Sequence, residues 1–164
     1  MNEDLTIVDF TKDTDSGNWT VVNDIVMGGC SEANFQVNSL GHGQFSGRVS
    51  LENKGGFSSV SYRFALKDVR RYDKAVLRLK GDCKTYQFRL KSNLNDSHSY
   101  AEFFTTTGDW QTLEINFADM HPRFRGRILD LPNYPGESMC ELAFLIANKK
   151  AEVFCLEIDS IHLK

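Results

Sequence analysis

The chain has 164 residues, of which 41% are hydrophobic and 25% charged, and its formal net charge is -3. That length suits one domain, residues 1–164, with a core of its own, and the charge balance excludes both a disordered chain and a general nucleic-acid binder, which would carry a basic stripe. The start, Met-Asn-Glu-Asp-Leu-Thr, shows no leader pattern, and the apolar run Leu142 to Ala147 is too short to cross a bilayer, so the expectation is a soluble, cytoplasmic protein without direct membrane insertion.

Strand patterns dominate from the first residues onward, and no segment sustains a period of 3.6 over three turns. Leu5 to Phe10 reads as a strand, followed by a polar loop to Asn18. Trp19 to Val26 is the next candidate, interrupted at Asn23-Asp24 and ending in Met27-Gly28-Gly29. Ala33 to Ser39 and Gln44 to Glu52 flank Leu40-Gly-His-Gly43, a hairpin signal. The stretch Val49 to Arg63 then joins two alternating patterns through Asn53-Lys-Gly-Gly56, where glycine permits a positive φ or a close approach. Its plain reading is a hairpin with a solvated outer face.

Phe57 to Phe64 places Val60, Tyr62 and Phe64 on one face and Ser59, Ser61 and Arg63 on the other. Ala65 to Asp73 reads as a charged connection with room for one helical turn, and Lys74 to Lys80 as a strand closed by Gly81-Asp82. Thr85 to Ser92 alternates most clearly, with Tyr86, Phe88 and Leu90 opposed to Gln87, Arg89 and Lys91. In Tyr100 to Phe104, Tyr100 and Glu102 share a face opposite Phe103. Trp110 to Phe117 is a further strand, and Ala118 to Glu137, with all three prolines and Arg123, Arg125 and Arg127, reads as a long functional loop. Met139 to Ala147 is apolar on both faces, as in a strand covered on both sides, and Glu152 to Leu163 closes the chain. About ten short strands separated by turn signals predict an all-β fold, an antiparallel sandwich or jelly roll with few or no helices.

Three stretches, Trp19 to Ser31, Phe45-Ser-Gly47 and Glu52 to Ser59, with Leu79 to Asp82, Tyr100 to Phe103, Asp109-Trp-Gln111, Phe124 to Arg127 and Leu156 to Ile161, resemble the thirty-kilodalton complex I intermediate-associated protein family. The resemblance runs from about Asp9 to Leu163 and is that of a compact, bacterial-type member. It implies a galactose-binding-domain-like jelly roll, and a non-enzymatic assembly factor for membrane-arm intermediates of the respiratory NADH dehydrogenase. Cys30, Ser61 and Cys83 stand where the family pattern has other residues, and the mitochondrial role does not transfer whole.

The residues themselves carry no catalytic motif. Gly-x-Ser-x-Gly, His-Glu-x-x-His, a phosphate loop and a dinucleotide fingerprint are all absent, the four cysteines have no Cys-x-x-Cys spacing, and His42, His98, His121 and His162 have no ligand spacing. No cofactor or metal is therefore expected. The carboxylates Asp24, Glu52, Asp82 and Glu102 are the conceivable acid–base groups, although turn aspartates more often accept backbone N–H groups.

Strand faces give the binding expectation. If Phe57 to Phe64, Thr85 to Ser92 and Ser99 to Phe104 share one sheet, Ser59, Ser61, Arg63, Gln87, Arg89, Tyr100 and Glu102 meet on its concave face, a set suited to a polar ligand, a sugar or a partner segment. The plainer reading is a surface ion-pair network of Arg63, Arg89 and Glu102. Loop residues Asp24, Asn53, Phe124 and Arg125 are further candidates, since an aromatic flanked by arginines has interface composition. The expected function is a protein-binding, chaperone-like assembly factor whose partners are respiratory-complex subunits. The alternative is a carbohydrate or small polar ligand on the concave face.

Overall fold

The computed structural model describes residues 4–24 and 29–164. The strands are β1 (Leu5–Asp9), β2 (Trp19–Asn23), β3 (Glu32–Val37), β4 (Gly43–Val49), β5 (Ser58–Asp68), β6 (Lys74–Lys80), β7 (Thr85–Lys91), β8 (Ser99–Thr105), β9 (Trp110–Asn116), β10 (His121–Phe124), β11 (Arg127–Ile128), β12 (Ser138–Ile146) and β13 (Glu152–Leu163). They pair into a six-stranded sheet, β3-β4-β13-β6-β9 with β1 also on β13, and a seven-stranded sheet, β11-β10-β8-β7-β12-β5-β2. The pairings are antiparallel. The helical segments described are short 3-10 turns.

Alternation explains the layering. In β7, Tyr86, Phe88 and Leu90 are buried and meet the buried inner residues of β13, with the Tyr86 ring 6.5 Å from Phe154 in an edge contact. Phe45, Leu77, Leu79, Ile158 and Ile161 complete the other wall, all inaccessible to water. At roughly 25 cal/mol per Å2 of apolar surface removed from water, this inner layer is the dominant favourable term. Trp19 closes one side of the sandwich, its ring stacked on Phe35 at 4.6 Å and on its cross-strand partner Tyr62 at 5.1 Å. Phe35 belongs to the six-stranded sheet and Tyr62 to the seven-stranded one, so a single indole ties the two together.

The sequence pattern and the structure differ at three places. Val49 to Arg63 is no hairpin, because β4 lies in one sheet and β5 in the other; the 3-10 turn Glu52–Lys54 carries the chain across the end of the sandwich. The charged connection after Phe64 continues as strand to Asp68, where β12 supplies the ladder partners. Within the long loop after Ala118, β10 pairs with β8 and folds back on β11. Of the strand read from Trp19 to Val26 and its Met27-Gly28-Gly29 end, residues 25–28 lie outside the described residues.

Candidate functional site

Asp24 organises the corner between β2, β5 and the segment leading to β3. Its side chain is buried at 1% exposure, and it accepts hydrogen bonds from Ser31 N–H at 2.8 Å, Ser31 Oγ at 2.5 Å, Gly56 N–H at 2.6 Å and Phe57 N–H at 3.3 Å. Burial by itself would raise the carboxyl pKa. The hydrogen bonds from Ser31, Gly56 and Phe57 outweigh it and hold the group below the ordinary carboxylate range. The neighbouring glycines follow from this carboxylate. A Cβ at Gly29 would collide with the Asp24 Cγ, and one at Gly55 with its Oδ2. Gly55 has φ -71°, so close approach of a side chain, not a positive φ, is what its position requires.

Beside this corner the seven-stranded sheet presents its outer face. Register fixes who stands there. In β5, β12 and β7, Leu145 lies between Ser59 and Gln87, Ala143 between Ser61 and Arg89, and Glu141 between Arg63 and Lys91. A groove of about 490 Å3 opens on this face. Its floor is Leu145 and Ala147, its flanks are Ser59 on one side and Gln87 and Arg89 on the other, and Gly55 to Phe57 with Asp24 close one end. The opposite wall is the tip of the β10–β11 hairpin, Arg125-Gly126. Both tip residues have positive φ, 51° and 79°, the pattern of a two-residue turn of the primed type. The hairpin arches over the sheet: Arg123 pairs with Ser99 in register, yet its guanidinium lies 4.9 Å from the Phe103 ring, four residues further along β8.

Arg89 is the central cation of the groove. Its Nε and Nη2 both donate to Gln87 Oε1, at 3.0 and 2.8 Å. Burial, and after it the like charge of Arg123, pushes its pKa down to about 10, so it remains cationic at neutral pH. Arg63 stands apart, its Nε donating to Glu141 Oε1 at 2.8 Å; Arg63 is 68% exposed while the carboxylate is only 10% exposed.

The structure therefore brings Ser59, Gln87, Arg89, Arg125 and the edge of Asp24 to one groove. Ser61 and Arg63 share the face but lie further along it, beside Ala143 and Glu141. Two expected members are elsewhere. Tyr100 sits opposite Leu90 on the inner face, buried with its ring 5.1 Å from Tyr134, and Glu102 takes the register position opposite Phe88. The residues of β8 on the outer face are Ala101 and Phe103. The expected ion-pair network of Arg63, Arg89 and Glu102 is likewise replaced, by Arg63 with Glu141 and Arg89 with Gln87. Asn53 adopts a left-handed conformation, φ 53°, and its amide approaches Cys30 Sγ at 3.6 Å. Phe124 is 37% exposed, with the Arg125 guanidinium 5.2 Å from its ring, and does not plug the sandwich end.

Residue patterns miss the groove floor. Leu145 and Ala147 read as the second apolar face of a covered strand, whereas both are half-buried and line an open groove. Carboxylates do not gather here. Asp82 accepts from Tyr86 Oη at 2.9 Å and Cys155 N–H at 2.8 Å, and Glu102 accepts from Phe103 N–H at 2.9 Å. Among the described residues no group of three or more His, Cys, Asp or Glu is placed to hold a metal ion.

The profile of the family described as Complex I intermediate-associated protein 30 matches residues 8–158. The chain belongs to that family. No curated protein sequence matches it significantly. Among solved structures, the chain is similar to the family 11 carbohydrate-binding module from Clostridium thermocellum in complex with a β-1,3-1,4-mixed-linked tetrasaccharide, with a TM-score of 0.69, 18% identity and coverage of 99% of this chain and 96% of the module. A point mutant of a family 29 carbohydrate-binding module gives a TM-score of 0.59 at 9% identity, covering 99% and 92% of the two chains. An agarase matches over 99% of this chain and 24% of its own length, with a TM-score of 0.62 and 12% identity. At these identities the likeness establishes the fold, the galactose-binding-like β-sandwich of carbohydrate-binding modules. Among the described residues of this family member, no helix is long and apolar enough to cross a membrane.

Proposed function

We propose that the protein is a non-enzymatic binding module that holds a segment of a partner polypeptide in the outer-face groove, acting as an assembly factor for the respiratory NADH dehydrogenase. The observation that carries this reading is the half-buried apolar floor of the groove, Leu145 and Ala147, set between hydrogen-bonding flanks at Ser59, Gln87 and Arg89. An extended peptide alternates its side chains, so one row can bury apolar groups on such a floor while the backbone and the other row meet polar groups. Family membership supplies the direction, since the family is described by its association with complex I intermediates. Among the described residues that line the groove the carboxylate is Asp24, whose oxygens are committed to Ser31, Gly56 and Phe57, which supports a binding role over catalysis.

A carbohydrate on the same face is the second reading, favoured by the tetrasaccharide complex of the family 11 module. Sugar rings are commonly held by stacking on aromatic faces. Here the floor is aliphatic, the aromatic ring that lines the groove, Phe57, belongs to the segment closing one end, and Arg123 lies over the outer-face ring of β8, Phe103.

The test is affinity capture of the tagged protein from detergent-solubilised cells of the source organism, with mass spectrometry of the retained proteins. Retention of NADH dehydrogenase subunits by the parent, and their loss from Ala147→Trp, which fills the floor, and from Phe124→Ala/Arg125→Ala is the expected result. Retention by the parent and both variants alike would place the contact elsewhere. A bait that retains none of these subunits, together with a melting temperature raised by mixed-linked glucan oligosaccharides, would favour the sugar reading.

A further inference from the structure

We propose that the groove selects an acidic segment: an extended stretch of the partner polypeptide whose glutamate or aspartate side chains are read by Arg89 and Arg125. The proposal rests on the groove being the partner-binding site and adds to it the chemistry of the segment. The chain as a whole is negative, with a net charge of -3, yet two guanidinium groups line this groove and a third lies near it. Arg89 flanks the floor, Arg125 stands on the hairpin wall, and Arg123 is close enough to Arg89 for its charge to be felt there. Among the described residues no carboxylate lies within ion-pair distance of any of the three; the arginine ion pairs that do form are Arg63 with Glu141 and Arg70 with Asp68. Arg89 is satisfied by a neutral amide oxygen, and the Nε of Arg123 is buried with no acceptor at all.

A half-buried cation such as Arg89, beside the like charge of Arg123 and without a counter-charge, is costly in the free protein. A carboxylate entering the groove would offset the repulsion at Arg89, and a guanidinium fork matches a carboxylate with two parallel N–H···O bonds. The position of the charges indicates a chain segment as the occupant and not a lone anion. They lie on one flank and one wall of an apolar floor, so a ligand that uses both must present an acidic group and an aliphatic group a few ångströms apart, as alternating residues of an extended peptide do.

The test is fluorescence anisotropy with labelled decapeptides of alanine and leucine carrying three glutamates, three glutamines or three lysines at the same positions. Proteins are the parent, R89Q, R125Q and, as a charge-matched control on the other sheet, R78Q. The expected result is binding of the glutamate peptide alone, weakened by added salt, and lost by roughly 30-fold or more in R89Q, the loss typical of removing one partner from a desolvated charge pair. R125Q, at an exposed hairpin tip, weakens glutamate-peptide binding by about 2- to 5-fold and reports on the site even where R89Q unfolds, and R78Q binds as the parent does. Equal binding of glutamate and glutamine peptides would overturn the acidic preference while leaving the peptide groove standing. Unchanged binding in both R89Q and R125Q would overturn the assignment of the site. If no peptide binds and free glutamate or inorganic phosphate raises the melting temperature of the parent but not of R89Q, the occupant is a small anion and the acidic-segment inference falls.

Discussion

Asp24 does two jobs through one carboxylate: it ends the groove and ties its own strand end to two other segments, one through Ser31 and one through Gly56 and Phe57. Asp24→Asn keeps the shape and removes the charge that these donors share, so the variant is expected to lose roughly 2–4 kcal/mol by urea unfolding. The pH dependence follows with a definite sign. The folded-state pKa lies below the unfolded value of about 3.9, so the stabilisation is fully present above that value and disappears as pH falls through the lower folded-state pKa. Unfolding free energies measured between about pH 5 and pH 2 should therefore fall less steeply in Asp24→Asn than in the parent. Gly55→Ala presses a methyl group against the same carboxylate and should also destabilise, despite an ordinary φ at that residue. The glycine-rich motif is legible in the sequence; its cause is not, because the side chain that demands it is 31 residues away from Gly55.

The β10–β11 hairpin is a wall built at the sheet edge, and its turn needs two consecutive positive φ angles. Gly126→Val forces a β-branched residue into that region, at a cost of about 1–2 kcal/mol local to the hairpin. No heavy atom stands within 4 Å of the position a Cβ would take, so backbone strain is the whole effect. The expected outcome is a melting temperature lowered by about 2–8 °C and a loss of glutamate-peptide binding, checked by calorimetry and anisotropy on one sample. Along β5 and β12 the Arg63–Glu141 pair poses a different question, since its cation is exposed and its anion is not. Arg63→Ala should cost about 1 kcal/mol by leaving the acid unpaired, and Glu141→Gln in the same chain should restore part of it. A double variant no more stable than Arg63→Ala would show that the pair is only a surface contact.

At the scale of the molecule, the sandwich depends on residues that touch both sheets. Trp19→Ala removes the indole stacked between Phe35 and Tyr62 and is expected to cost about 3–5 kcal/mol. In a domain of this size that corresponds to a fall of about 10 °C in melting temperature, measurable by circular dichroism. The face assignments show where reading by pattern succeeds. Gln87, Arg89, Ser59, Ser61 and Arg63 lie on the face that alternation gives them, because each opposes an unambiguous apolar set on its own strand. For Tyr100 and Glu102 alternation gives the right parity and the wrong face, since β8 carries aromatic residues on both sides. Phe104, which shares the parity of Tyr100 and is buried, is the signal for the inner face.

Period-2 alternation, turn glycines and the lack of a helical period were enough to determine an all-β antiparallel sandwich, because side-chain direction along a strand is a local property. The family, too, is legible, in motifs that recur nearly from end to end. Tertiary structure alone decided that β12 runs between β5 and β7, that Val49 to Arg63 crosses between sheets, and that Arg125 and Arg89 line one groove with Leu145 and Ala147. Those relations join residues far apart in the chain. They are set by which ladders form and by how the β10–β11 hairpin curls over the sheet, and no local pattern encodes either.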